Sequence, residues 1–389
     1  MTRRRETSPP RPITPGDVVA AYSEELGEWT AAQVTDLDPA GRTAGVLELD
    51  WSGPEPSSVE ELGALVPLRL HHHAHDGRLS HCNFAWVLPR SYKVLGNVPL
   101  LHERKSNSYS SGWNIGDQLA WQRQWERGER SPHRTGGRSL LGAELADLVA
   151  RSEPFTEVRI LTVTGIAVVD GDDVAALFPN LTHLKLSGTL GTLNGAAGLN
   201  RLRSLKSLHL IDLFGMSASD CLSSTAVPGL EMLWLHSVPA EYATAMSEMW
   251  AREAGNGTLV EISSPRDSGW VAENRDNPLR DWDGREHISA AQYRRSVRQF
   301  MTTRRAVLDV LAAPGGDTDE ARLTDLGSEF GEAFNQFDGM DDPFIETVER
   351  EELFDALDAI VDEAEAAHGR TFATAREFLV AGVEEVRDW

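Results

Sequence analysis

The stretch from Leu68 to Trp86 holds five histidines and Cys82, the side chains that bind zinc most readily. Asp76-Gly77 within it is a signal for a two-residue hairpin loop. With that loop, His75 pairs with Arg78, His73 with Ser80 and His71 with Cys82. Strand alternation then places His71, His73 and Cys82 on one face, and His72 and His81 on the other. Three such ligands on one face could hold zinc and support a zinc-dependent enzyme. Neither C-x-x-C nor H-E-x-x-H spacing is present, however, and a solvated polar hairpin accounts for the same residues. No metal and no other cofactor is expected.

No other segment carries a catalytic signature. A nucleophile elbow, a dinucleotide fingerprint and a zinc helix are all missing, and no paired acid and base stands out. Gly188-Thr-Leu-Gly191-Thr-Leu-Asn-Gly195 is glycine-rich but lacks the Lys-Ser/Thr that grips phosphate. Asp338-Gly-Met-Asp341-Asp342 lacks the ligand spacing of a calcium loop and reads as a connector. The expectation is a non-enzymatic protein.

Composition narrows the partners. The 389 residues carry a net charge of −23, which repels nucleic acid and anionic membranes, so nucleic acid is not expected as a partner. The acid gathers in residues 317–365, where Arg322 and Arg350 are the only basic side chains. Cys82 and Cys221 are the only cysteines, which suits a reducing cytoplasm. No run of about 18 apolar residues exists to span a membrane. The start, Met1 to Pro12, is basic with no apolar segment after it, and is expected as a disordered tail. Arginine-dominated basic residues with abundant Ala and Gly fit a high-GC bacterial genome.

Position in the fold follows from repeats. Leu181-Thr-His-Leu184-Lys-Leu186, Leu205-Lys-Ser-Leu208-His-Leu210 and Leu230-Glu-Met-Leu233-Trp-Leu235 share one L-x-x-L-x-L spacing. A period in the twenties predicts stacked strands, because no repeat can cover its own leucines. Val158 to Val163 reads as a diverged earlier strand and Leu259 to Ile262 as a last one. Leu140 to Ala150, Asp172 to Phe178 and Ala240 to Trp250 read as helices. Alternation turns His183, Lys185, His209, Trp234 and His236 outward, with Thr162, Lys185, His209 and Trp234 as a middle column. An aromatic beside cations is the composition of a protein-binding surface. These repeats resemble the leucine-rich-repeat family, which implies an α/β solenoid whose concave face binds another protein. The Asn that usually closes each strand is replaced at Thr189, Leu213 and Val238.

Residues 13–54 read as short strands joined by Gly-containing turns, as in a small bent barrel. Gly16-Asp17, Tyr22, Gly27-x-Trp29 and Leu49-Asp50-Trp51-Ser52-Gly53 resemble the Tudor-type SH3-like barrel. That resemblance implies an aromatic cage for a methylated Lys or Arg, with Tyr22, Trp29 and Trp51 as walls and Asp50 as charge partner. The family's third-strand aromatic is replaced here by Leu47 or Glu48. The same rings could instead fill a barrel core.

Arg104, Lys105, Arg123, Arg127, Arg130, Arg134 and Arg138 make residues 102–138 a basic linker, expected to meet the acidic C-terminus. Trp121 and Trp125, one helical turn apart, should share a face. From Asn277 onward the pattern is helical, over Ser289–Leu311, Leu323–Phe337, Phe344–Ala367 and Thr371–Val386, with phenylalanines for a core. Asn277 to His287 resembles a segment of actinobacterial repeat proteins labelled gliding motility proteins, a label that implies no mechanism. The expected class is multidomain α+β: an SH3-like barrel over 13–101, the linker 102–138, a repeat solenoid over 139–266 and an acidic helical domain over 267–389. Its expected function is that of an adaptor for a protein partner; a reader of methylated peptides and a zinc enzyme are the alternatives.

Overall fold

A computed structural model of the chain describes residues 12–110, 112–129, 136–151, 153–313, 318–340 and 343–389. Most of the expected tail, Arg130, Arg134, Pro314–Gly316, Asp341 and Asp342 lie outside the described residues. The chain is mixed α/β and divides into two compact units, Met1–Asp267 and Ser268–Trp389.

The first unit opens with β1 (Asp17–Ser23), β2 (Glu28–Asp38) and β3 (Thr43–Gly53), antiparallel neighbours joined by tight turns. A short pair, β4 (Arg69–Leu70) and β5 (Arg78–Leu79), precedes β6 (His81–Ala85) and β7 (Lys93–Asn97). The five-stranded antiparallel sheet runs β6-β3-β2-β1-β7. Val19, Ala32, Val46 and Phe84 build a core on one face, and Val18, Ala31, Leu49 and Leu62 on the other. Burial on both faces explains why Val18 to Ala21 is continuously apolar instead of alternating.

The basic segment is no free connector. Ile115 and Leu119 are buried, and Trp113 packs on Phe84 and Tyr92 while donating Nε1–H to the Ala85 carbonyl at 2.7 Å. Helix α1 (Asp117–Glu126) follows. A few apolar residues among many arginines suffice to hold it against the sheet. Its cations meet carboxylates close at hand: Lys105 pairs with Asp36, and Arg123 with Asp50.

Six parallel strands complete this unit. They are β8 (Gly137–Leu141), β9 (Ile160–Asp170), β10 (His183–Asn194), β11 (Ser207–Phe214), β12 (Met232–His236) and β13 (Leu259–Ser263), side by side in chain order. Helix α2 (Gly142–Arg151) follows β8, α3 (Gly171–Leu177) follows β9, and α4 (Ala240–Trp250) follows β12. Strand β8 spans residues expected to belong to the linker and to the first helix. The leucines align across the sheet, with Leu161 beside Leu184, Leu208, Leu233 and Val260 in turn. Leu161, Leu184, Leu208 and Leu233 are all buried in one continuous core, each worth about 1.5–3 kcal/mol.

Strands β9, β11, β12 and β13 turn at a left-handed residue: Gly165, Asp212, Ser237 and Ser264, with φ of 63°, 52°, 51° and 49°. The closing position thus precedes the expected Leu213 and Val238 by one residue. In β10 it moves to Leu190 (φ 52°), because a bulge opens between Ser187 and Gly191. A Cβ at Gly191 would collide with the Ile166 carbonyl, so the glycines here serve close strand packing.

The second unit contains α5 (Ser268–Asn274), α6 (Ala290–Ala312), α7 (Glu320–Met340), α8 (Thr347–His368) and α9 (Ala373–Val386). Trp282, Phe300, Phe330, Phe334 and Phe344 form its buried core. The Asn277–His287 segment docks on α8. Arg285 bridges Glu349 at 2.5 Å and Glu352 at 2.6 Å, His287 Nε2 lies 3.0 Å from Glu349, and Trp282 donates to Glu352 at 2.7 Å. Among the described residues no helix is long and apolar enough to cross a membrane.

Candidate functional site

Strand register sets the outward face of the parallel sheet. Thr162, Lys185, His209, Trp234 and Glu261 lie beside one another in that order, one per strand from β9 to β13. His183 and Lys185 are exposed, whereas His209, Trp234 and His236 are half-buried. The His209 and Trp234 rings stack at 5.5 Å with planes 23° apart. His209 Nε2 lies 3.1 Å from Met232 Sδ. Burial, and then the neighbouring Lys185 ammonium, lower the His209 pKa and favour the neutral ring. His236 Nδ1 contacts Ser263 Oγ at 2.9 Å, and His183 Nδ1 contacts Thr182 Oγ1 at 3.0 Å. At the far end of the column Glu261 pairs with Arg42, from the turn between β2 and β3.

The antiparallel sheet also clasps the edge where the parallel strands begin. Arg90 donates to Glu253 at 2.9 Å, to the Pro228 carbonyl at 2.5 Å and to Thr258. The Ser91 N–H donates to Glu231 at 2.9 Å, and Lys206 reaches Glu24 at 3.3 Å.

The aromatic-cage candidates are engaged within the chain. Tyr22 and Trp29 face each other across β1 and β2 with rings 6.4 Å apart. Lys93 Nζ sits 4.9 Å from the Trp29 ring centre and also pairs with Glu55. Asp50 holds Arg123 at 2.7 Å, and Trp51 packs beside the core of Leu49 and Leu62.

The histidine hairpin has another register. Arg69 pairs with Leu79 and Leu70 with Arg78, so the chain from His71 to Gly77 loops out. The Asp76-Gly77 turn does form, with Arg78 N–H donating to the His75 carbonyl, but a second turn at His72–His75 precedes it. The cause is packing. The N–H groups of His71 and His72 both donate to Gln122 Oε1, and the His72 and His73 rings lie against Trp121 and Trp125 of α1. Cys82 pairs with Val46 in the five-stranded sheet, so it does not join His71 and His73 on one face. Burial, then Glu48, push its thiol pKa upward, away from the thiolate that binds metal. Among the described residues no group of three His, Cys, Asp or Glu is placed to hold a metal ion.

Two residues carry more than their sequence positions suggest. Glu48 is buried, accepts from Ser80 Oγ at 2.7 Å and from the Gly116 N–H at 2.8 Å, and so ties the start of α1 to β3. Burial pushes its pKa up to about 7, against the opposing hydrogen bonds. Asp212 accepts from the Leu190 N–H at 2.6 Å and from Ser237 Oγ at 3.0 Å. The repeat spacing could have located Asp212, two residues beyond the last leucine of its motif; nothing in the spacing marks Glu48.

No family model, curated protein or solved structure matches the chain.

Proposed function

We propose that this protein is a non-enzymatic adaptor that binds another protein through the outward column of its parallel sheet. The observation that carries the reading is the in-register row Lys185, His209, Trp234, with exposed His183 beside it and a leucine core beneath. The leucine core holds the strands beneath, and the stacked His209 and Trp234 rings supply contact area at small entropic cost.

The finer architecture belongs to the same proposal. Chain-order parallel strands with stacked leucines favour a leucine-rich-repeat solenoid. Five antiparallel strands, the first three joined by tight turns, favour a Tudor or SH3-like barrel, here serving to brace the repeats. A cytoplasmic setting suits the two free cysteines, Cys82 and Cys221.

The test is capture from native lysate with wild type and the Trp234→Ala/Lys185→Glu double variant. The adaptor reading expects a partner retained by wild type and lost from the variant, with melting temperatures alike. Identical partners on both proteins would remove the column from the account.

A further inference from the structure

An open cleft of about 530 Å³ lies where the antiparallel sheet meets the leading edge of the parallel strands. Four cations line it, Arg90, Arg159, Arg203 and Lys206, against the carboxylates Glu24 and Glu231. The rest of its lining is serine, threonine, asparagine and glycine, with no apolar side chain. On a chain of net charge −23 this is a local reversal of sign.

The partners divide the lining by task. Arg90 and Glu231 clasp the two sheets, Arg90 on Glu253 at 2.9 Å and Glu231 on the Ser91 N–H at 2.9 Å. Arg159 donates Nη1–H to the Thr156 carbonyl at 3.0 Å and to the Asn180 carbonyl at 3.4 Å. Arg203 is exposed, and among the described residues no carboxylate pairs with it. Lys206 is shared with Glu24 at 3.3 Å, both side chains partly in water. The Thr182 N–H donates to the Arg159 carbonyl at 2.8 Å, and the Lys206 N–H to the Thr182 carbonyl at 2.7 Å. Arg159, Thr182 and Lys206 therefore hold the same place immediately before successive strands, and a strand spacing of about 4.8 Å sets the Arg159 and Lys206 backbones about 10 Å apart.

We propose that this cleft binds a compact, multiply charged anion of the diphosphate class, held by Arg159, Arg203 and Lys206, and that Glu24 competes with it for Lys206. Guanidinium forks match phosphate oxygens, and hydroxyl and amide groups complete the shell. With no apolar or aromatic side chain in the lining, the charge of the anion is what the site recognises. Glu24, on the turn between β1 and β2, acts as an internal counter-anion that the ligand displaces.

Calorimetric titration of the full chain with inorganic pyrophosphate at low ionic strength tests this. Saturable one-site binding is expected, weakened about tenfold by Arg203→Ala and abolished by Arg203→Glu. Glu24→Gln should tighten binding about fivefold. Arg201→Ala, whose side chain pairs with Asp172 outside the lining, should leave it unchanged. A nucleoside diphosphate should bind no tighter than pyrophosphate. Circular dichroism and melting temperature, matched to wild type, keep misfolded variants out of the comparison. Absence of saturable binding, equal losses in Arg203→Ala and Arg201→Ala, an unchanged or weaker affinity in Glu24→Gln, or a strong preference for the nucleotide would each overturn the proposal.

Discussion

Asp212 accepts the Leu190 N–H at 2.6 Å, one strand back along the parallel sheet, and the Ser237 hydroxyl at 3.0 Å, one strand forward. One buried carboxylate thus joins three successive strand ends. It does so in a left-handed conformation that Asp and Asn tolerate better than other residues.

Asp212→Ala should destabilise the first unit by about 2–4 kcal/mol, since it strands a backbone donor and a hydroxyl at once. Asp212→Asn keeps an acceptor and the backbone preference, and should cost about 1 kcal/mol. Urea denaturation read separately for each unit checks this; equal losses in the two variants would refute the account of Asp212.

Glu48 should make stability fall with rising pH. Its folded pKa of about 7 stands above the ordinary 4.5, so between these values the native state keeps a proton that the unfolded chain releases. Stability is therefore lost as pH rises through that window and levels off above it, by about 3 kcal/mol in total. Glu48→Gln should exceed wild type in stability at pH 8 and lose most of that advantage at pH 5. Denaturation midpoints at the two pH values decide it.

The second unit should respond to acid in the opposite sense. Burial pushes Glu349 up, but the Arg285 guanidinium and backbone hydrogen bonds outweigh it and hold the carboxyl below its ordinary 4.5. That contribution is fully present above pH 4.5 and is lost as pH falls through the lowered value. Arg285→Met leaves the Glu349 carboxylate buried without its cation and should cost about 3–5 kcal/mol, measured by thermal unfolding at pH 7. Arg285→Lys should recover only part, because an ammonium cannot bridge Glu349 and Glu352 as the fork does.

A trimethyl-lysine peptide should bind no better than its unmethylated form. Lys93 already lies over the Trp29 ring, and Arg123 already holds Asp50. Fluorescence anisotropy with both peptides checks this, and a clear preference for the methylated one would restore the cage.

How much of this was legible depended on period and on burial. L-x-x-L-x-L located β10, β11 and β12 and set Lys185, His209 and Trp234 in one row, because strand alternation leaves a buried leucine no second choice of face. The long helices α6 to α9 could be read from the spacing of their phenylalanines and leucines. β8 could not, since Gly137 to Leu141 lacks the leucine motif and pairs only because β9 presents an edge. The histidine loop misled for a physical reason: the Asp76-Gly77 turn is local, whereas the Gln122 side chain that pulls His71 and His72 out of register lies about fifty residues away. The cation-lined cleft is not legible in the sequence, because Arg90, Arg159, Arg203 and Lys206 sit in separate turns and strand approaches that become neighbours only when the strands stack.

The most direct test of the adaptor face is photo-crosslinking in cells, with a benzophenone amino acid at Lys185 and, in a separate protein, at Asp173 on α3. The account predicts a discrete adduct with a partner protein from position 185, lost when Trp234→Ala is added, and none from position 173. Adducts of equal yield from both positions, or adducts from 185 that persist in Trp234→Ala, would contradict it.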